Sequence, residues 1–211
     1  PLILSSGVST LADLEYALSI VGRRAVTLLH CITAYPAPED EYNIALIPGL
    51  RAVLGVDVGL SDHSQDPVLV PGLAVALGAT VVEKHFTLSR EGSGLDDPIA
   101  MDPQMFARMT AAIRRIDAIR SLDRADAEEK VVGEFADEYG ARRVQSVLGD
   151  GVKRLSPREA GSYRTTRRSL LATRDIGAGE VLRETDAAPL RSERLAPGLE
   201  PRYAELIPGT R

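Results

Sequence analysis

The sequence predicts an α/β protein built on a parallel sheet and followed by a small β-rich module. Three observations carry this. Across residues 1–121, short apolar runs alternate with stretches of helical apolar spacing. Each run ends in polar or small residues, and beyond residue 165 the pattern changes to short apolar runs joined by Gly-containing turns.

Taken in order, the runs are Leu2–Leu4, Ala25–Leu29, Val56–Leu60 and Thr80–Val82. Continuous rather than alternating hydrophobicity predicts strands covered on both faces, Leu2–Leu4 among them. Between them lie Thr10–Val21, with Leu11, Leu14, Leu18 and Val21 on one stripe, then Asn43–Leu54 and Val68–Leu77. After the fourth run, Asp102-Pro103 caps a helix from Gln104 to Leu122 that turns Met105, Met109, Ile113 and Ile116 inward. These are four consecutive β/α units. Residues 123–165 read as a partly helical connector: Asp123–Lys130 is charged and Ala-rich, as a solvated face is, Gly133–Gly149 suits a short helix, and Gly149–Ser162 carries Gly, Pro and Ser. From Arg168 the spacing predicts strands at Ser169–Thr173, Glu180–Leu182 and Thr185–Leu190, with Arg174–Gly179 as a turn. So few apolar residues make a module of low independent stability.

The 211 residues amount to about a domain and a half. A net charge of −5, 4% aromatic residues and no Trp argue against a nucleic-acid partner. The single cysteine, Cys31, forms no internal disulfide and points to a reducing cytoplasm. No apolar run reaches membrane-spanning length, and no export signal is recognisable. The chain begins with Pro1 rather than Met, already within an apolar run, so it reads as the later part of a fold.

Polar residues gather where each strand ends: Ser5-Ser6-Gly7, His30-Cys31, Ser61-Asp62-His63 and Glu83-Lys84-His85. In a parallel α/β sheet or barrel that edge holds the chemistry, and all three histidines lie there. His63 and His85 end consecutive strands, so their imidazoles can converge on a weakly held, exchangeable divalent metal acting as a Lewis acid. A local hydrogen bond accounts equally well for His30. Ser5, Ser6, Gly7 and Ser61 suit an anion at a helix N-terminus, or Ser5–Gly7 simply turns toward an N-cap at Ser9 or Thr10. The loop Arg90–Met101 is long enough to fold over the strand ends, with Asp96 and Asp97 either an acid pair or turn residues.

The strings Ile3-Leu-Ser-Ser-Gly7, Leu28-Leu-His-Cys31, Tyr35-Pro-Ala-Pro38, Gly59-Leu-Ser-Asp-His63 and Val82-Glu-Lys-His-Phe-Thr87 resemble the second half of the sialic acid synthase (N-acetylneuraminate synthase) family. The tail, Arg167-Arg-Ser-Leu-Leu-Ala172, Arg174-Asp-Ile176 and Gly179-Glu180, is similar to that family's SAF (antifreeze-like) domain. The resemblance implies residues 1–122 as the C-terminal half of a (β/α)8 TIM barrel, 123–165 as connector and 166–211 as an incomplete SAF domain. It implies condensation of phosphoenolpyruvate with an N-acyl amino sugar such as N-acetylmannosamine. C3 attacks the aldehyde carbon, water adds at C2 and phosphate leaves, with Mn2+ or Mg2+ polarising the aldehyde.

Matched position by position, His63 and His85 are the metal ligands, and Asp96 and Glu83 the catalytic carboxylates. Ser5 and Ser61 hold the carboxylate or phosphate of phosphoenolpyruvate, Thr33 and Tyr35 line the substrate side, and Arg191 reaches the N-acyl sugar in a partner subunit, which implies a domain-swapped homodimer. The sequence departs from the family at Asp96-Asp97-Pro98-Ile99-Ala100, where Asp-His-Lys/Gln-Ala-Ser is usual, at Thr33, usually asparagine, and at the extra segment Ala125–Arg143. The family's first four β/α units have no counterpart here, so the missing N-terminal half-barrel is an expected partner and the isolated chain is expected to be inactive. Legionaminic, pseudaminic and spore-coat polysaccharide synthases, another phosphoenolpyruvate-using aldol enzyme and a non-catalytic half-barrel remain as alternatives.

Overall fold

The computed structural model describes residues 1–122, 124–192 and 195–210. Asp123, where the expected connector begins, and Glu193, Arg194 and Arg211 of the expected SAF domain lie outside the described residues. The chain divides into two units, Pro1–Glu159 and Ala160–Arg211.

In the first unit, β1 (Leu2–Ser5), β2 (Val26–Cys31), β3 (Asp57–Asp62) and β4 (Val82–Lys84) form a parallel sheet in that order. The arrangement is a half-barrel of four strands. Leu4 pairs with Leu28, Leu29 with Gly59, and Asp62 with Lys84. Helices α1 (Leu11–Val21), α2 (Leu46–Leu54) and α3 (Leu69–Ala76) return the chain between strands. Thr10 caps α1 through a reciprocal box with Asp13, and Gly55, at φ 65°, ends α2 in the left-handed conformation. Leu46, Ile47, Leu50 and Leu54 of α2 pack in one core with Val26, Leu28, Val58 and Leu60 of the sheet.

Every residue of α3 is buried, which requires cover on all sides. The cover comes from α4 (Pro103–Leu122), α5 (Arg124–Tyr139) and α6 (Ala141–Leu148). Asp102 accepts hydrogen bonds from the Gln104 and Met105 amides, capping α4 with Pro103 at its first position. The segment read as connector therefore contributes side chains to the core of the first unit. Asp126, Glu128, Glu129 and Lys130 lie exposed on the outer face of an amphipathic helix whose inner face, Ala127, Val131 and Phe135, is buried, as are Val144 and Val147 of α6. Gly72 admits this layer, since a Cβ there would lie 2.6 Å from Phe135 Cζ.

The run Leu2–Leu4 is a strand, but not a covered one. Leu2 and Ile3 are 42% and 57% exposed, because β1 is paired with β2 alone.

The short helix α7 (Pro157–Ala160) spans the boundary between the units. The second unit continues with α8 (Tyr163–Thr166) and pairs β5 (Arg168–Ala172) antiparallel with β6 (Ala187–Arg191). The expected strand Glu180–Leu182 does not form; Leu182 instead exchanges backbone hydrogen bonds with Gly209 and Thr210. Arg174 organises this unit, bonding both carboxylate oxygens of Asp186 and one of Glu180, and its guanidinium holds both acids below the usual carboxylate range.

Phe135→Ala is expected to lower the unfolding free energy by about 3–5 kcal/mol, measured by urea denaturation. A change below about 0.5 kcal/mol, as at a solvated surface, would remove α5 from the core.

Candidate functional site

The carboxyl ends of the four strands place the functional side chains. Register puts Asp62 beside Lys84, and their side chains form an ion pair at 2.8 Å, 0% and 1% exposed. Lys84 also donates to the Ser64 carbonyl, and Asp62 accepts from the Ser64 amide and hydroxyl. Tyr42, fully buried, completes the group. Its hydroxyl lies close to Asp62 and accepts from the His63 amide at 2.6 Å. Burial, reinforced by the Asp62 charge, pushes the Tyr42 phenol far up, so it stays protonated.

This network lies beneath the histidines and aims them. His63 is held by its backbone from below, while its ring Nδ1 contacts the Ile32 carbonyl at 2.8 Å. A carbonyl only accepts, so Nδ1 carries the proton and Nε2 keeps its lone pair. The His63 and His85 ring centroids are 5.3 Å apart. Tyr35 packs on both, 4.2 Å from His63 and 5.7 Å from His85, and the Ala37 amide ties its loop to the His63 carbonyl. Asp96 lies 3.4 Å from His85 Nδ1. Asp97 turns away and accepts from the Gly94 amide, so the Asp96–Asp97 pair is not a joint acid site.

A second group forms at the ends of β1, β2 and β3. Thr33 Oγ1 hydrogen-bonds the Cys31 thiol at 3.9 Å, with Ser5 and Ser61 beside it; burial raises the thiol's pKa and keeps it neutral. Ser5 accepts from the Gly7 amide, and buried Ser6 accepts from the Cys31 amide. The groups meet where Ser61 donates to Glu83 at 2.7 Å. A cavity of about 210 Å³ lies among Ser61, Asp62, His63, Glu83, Lys84 and His85. One arm offers hydroxyls to an anion; the other offers imidazole nitrogen and carboxylate oxygen.

Among the described residues, no group of three or more His, Cys, Asp or Glu side chains is poised to hold a metal. The donor set nonetheless fits a divalent cation bound through two imidazoles, its other positions open to water or substrate. Mixed nitrogen and oxygen donors suit Mn2+ better than Mg2+, and the carbonyl-fixed tautomer of His63 is the one a ligating histidine adopts.

The structure thus gathers Ser5, Thr33, Tyr35, Ser61, His63, Glu83, His85 and Asp96 on one edge. Arg191 belongs to the second unit, exposed on β6 opposite Arg168. The sequence reading passed over Tyr42, the Asp62–Lys84 pair and Glu159. Opposite charges one residue before each histidine were the available signal for the pair; Tyr42 and Glu159 had none. His30 serves the bland role, bonding the Tyr42 carbonyl.

The NeuB family profile matches residues 1–123. The chain is 34% identical to the N,N'-diacetyllegionaminic acid synthase of Campylobacter jejuni over 98% of its own length and 54% of that protein. It is 33% identical to the pseudaminic acid synthase of Helicobacter pylori over 99% and 53%. It spans about half the length of these curated relatives. The crystal structure of the spore coat polysaccharide biosynthesis protein SpsE from Bacillus subtilis superposes with a TM-score of 0.80 at 29% identity, covering 100% of this chain and 56% of that one. No helix among the described residues is long and apolar enough to cross a membrane.

Lys84→Met leaves Asp62 charged and buried, with an expected cost of about 3–5 kcal/mol, whereas Arg115→Ala at the surface pair with Glu134 costs at most about 1 kcal/mol; urea denaturation measures both. Burial holds His30 down to about 4 from its ordinary 6.5, with Lys153 adding and Tyr42 and Glu159 opposing. Between those values the unfolded chain takes up a proton that the folded chain refuses. Stability therefore falls as pH drops from 6.5 toward 4, by on the order of 3 kcal/mol. Denaturation across that window is expected to show a shallower slope in His30→Gln.

Proposed function

Because the chain belongs to the NeuB family, we propose that it carries the strand-end half of a synthase that condenses phosphoenolpyruvate with an N-acyl amino sugar, such as N-acetylmannosamine, to a nonulosonic acid, releasing phosphate. The observation that carries this reading is the meeting of two unlike arms on one edge, with His63 and His85 at 5.3 Å joined through Glu83 and Ser61 to the hydroxyls around Cys31.

In this reading the hydroxyls of Ser5, Ser61 and Thr33 hold the carboxylate and phosphate of phosphoenolpyruvate. Tyr35 presents its ring to the acceptor sugar and limits how the aldehyde can lie against the histidines. Asp96 and Glu83 are the carboxylates that move protons, Asp96 on the aldehyde side and Glu83 on the side of the attacking water. His63 and His85 would hold Mn2+ or Mg2+, which supplies Lewis-acid polarisation of the aldehyde when bound. Residues 166–211 act as a SAF domain, and Arg191 of a second copy contacts the N-acyl group in a domain-swapped homodimer. The remaining β/α units of a complete barrel bring the acid/base glutamate and phosphate-binding lysines, and the whole works in the cytoplasm. The names of the Campylobacter and Helicobacter relatives, with the altered loop Asp97–Ala100, support a legionaminic- or pseudaminic-type acceptor as the second reading.

The test has two parts. Mn2+ titration of the chain, followed by electron paramagnetic resonance, is expected to show binding that weakens at least tenfold in His63→Ala and in His85→Ala. Phosphate release from phosphoenolpyruvate is then measured with the chain joined to the four preceding β/α units of a relative, against N-acetylmannosamine and a diacetamido sugar. Unchanged release in both histidine variants would overturn the metal roles, and no release with either sugar would overturn the reaction.

A further inference from the structure

The structure assigns Glu159 as a positioning residue that clamps the turn after β1 to the loop after β2 and so sets the spacing of the anion-binding arm; this rests on the reading of that arm as the phosphoenolpyruvate pocket. Glu159 follows the layer of covering helices in sequence, yet it is 0% exposed. Its Oε1 accepts from two amides on separate loops, Val8 at 2.7 Å and Thr33 at 2.9 Å. One carboxylate oxygen therefore joins the turn that carries Ser5 to the loop that carries Thr33 and Tyr35. The Ser156 amide contacts its Oε2 at 3.3 Å, and the buried ammonium of Lys153, which makes no hydrogen bond among the described residues, is attracted to its charge.

Two further observations show that the loops need such a clamp. Val8 has φ 49°, a left-handed conformation that a β-branched residue adopts only when its surroundings enforce it. At Gly7 the loops approach so closely that a Cβ would lie 2.2 Å from Thr33 Oγ1 and 3.2 Å from Cys31 Sγ. The turn thus combines an unfavourable backbone conformation at Val8 with a close approach at Gly7 that leaves no room for a side chain. A charge-assisted bond to the Val8 amide supplies the constraint. Glu159 itself touches none of the proposed substrate groups; it acts through the positions of Ser5 and Thr33.

The experiment uses the full chain as wild type, Glu159→Ala and Glu159→Gln. Amide hydrogen exchange is followed by NMR at Val8 and Thr33, and phosphoenolpyruvate affinity by calorimetry on each variant joined to the four preceding β/α units of a relative. In Glu159→Ala, exchange at these two amides is expected to rise at least tenfold while β3 and β4 keep their protection, and affinity falls at least tenfold. Glu159→Gln, which keeps a carbonyl oxygen in place, is expected to recover most of both. Unchanged exchange in Glu159→Ala would overturn the clamp. Loss of protection throughout the unit, or faster local exchange with affinity intact, would overturn the positioning role. A wild-type joined protein that binds no phosphoenolpyruvate would refute the functional reading, while the exchange measurement on the chain itself still decides the clamp.

Discussion

The buried pairing of Asp62 with Lys84 is the constraint on which the strand-end face depends. Two charges removed from water are tolerated only when each is matched and further hydrogen-bonded, and here Ser64 provides the additional bonds to both partners. The pair therefore fixes β3 against β4 in one register. Successive side chains on a strand point to opposite faces. With Asp62 and Lys84 drawn into the helix-covered side, Ser61 and Glu83 are directed to the open side, where they bond one another. His63 and His85 follow directly in sequence, and Tyr42 and the Ile32 carbonyl set the orientation of His63.

The other side of the site follows a different rule. Around Cys31 the chain uses small residues, hydroxyls and main-chain amides, and its geometry comes from loops pressed together. Gly7 permits the contact, and the Glu159 carboxylate, reaching back from beyond α6, spans it. An acceptor set of imidazoles and carboxylates and a donor set of hydroxyls thus share one edge while resting on separate supports. The helix-covered face gives both a rigid base, since α3 is enclosed by α4 and α5 and closely packed interiors deform little. The sheet margins are less protected, with Leu2 and Ile3 exposed on β1 and Phe86 exposed after β4.

Much of the first unit was legible because its signals are local. Continuous apolar runs marked β1 to β4, helical spacing marked α1 to α4, and the polar residues closing each run marked the site edge. The strings around His63 and His85 were specific enough to point to the family whose profile matches residues 1–123. The misreadings have equally local causes. Asp123–Lys130 is rich in charge, and charge dominates a linear reading, although Ala127, Val131 and Phe135 recur at the spacing of one helix face. At Glu180–Leu182, apolar residues between turns suggested a strand, but a strand needs a partner in register, and the backbone of Leu182 instead meets the turn at Gly209 and Thr210.

By itself the sequence determined which residue types stand at each strand end, because strand and helix periods are short-range properties written in consecutive side chains. It also determined that the histidines, serines and carboxylates share an edge, since parallel strands joined by helices all point the same way. Only the tertiary structure decided how these groups are held: that Tyr42 lies beneath His63, that the supposed connector closes the core, and that Glu159 bridges two loops remote from it in sequence. Those decisions rest on burial. A hydroxyl, a carboxylate or an ammonium gains its role from the partners it must find once water is excluded, and the chain brings those partners together across distances that no sequence period records.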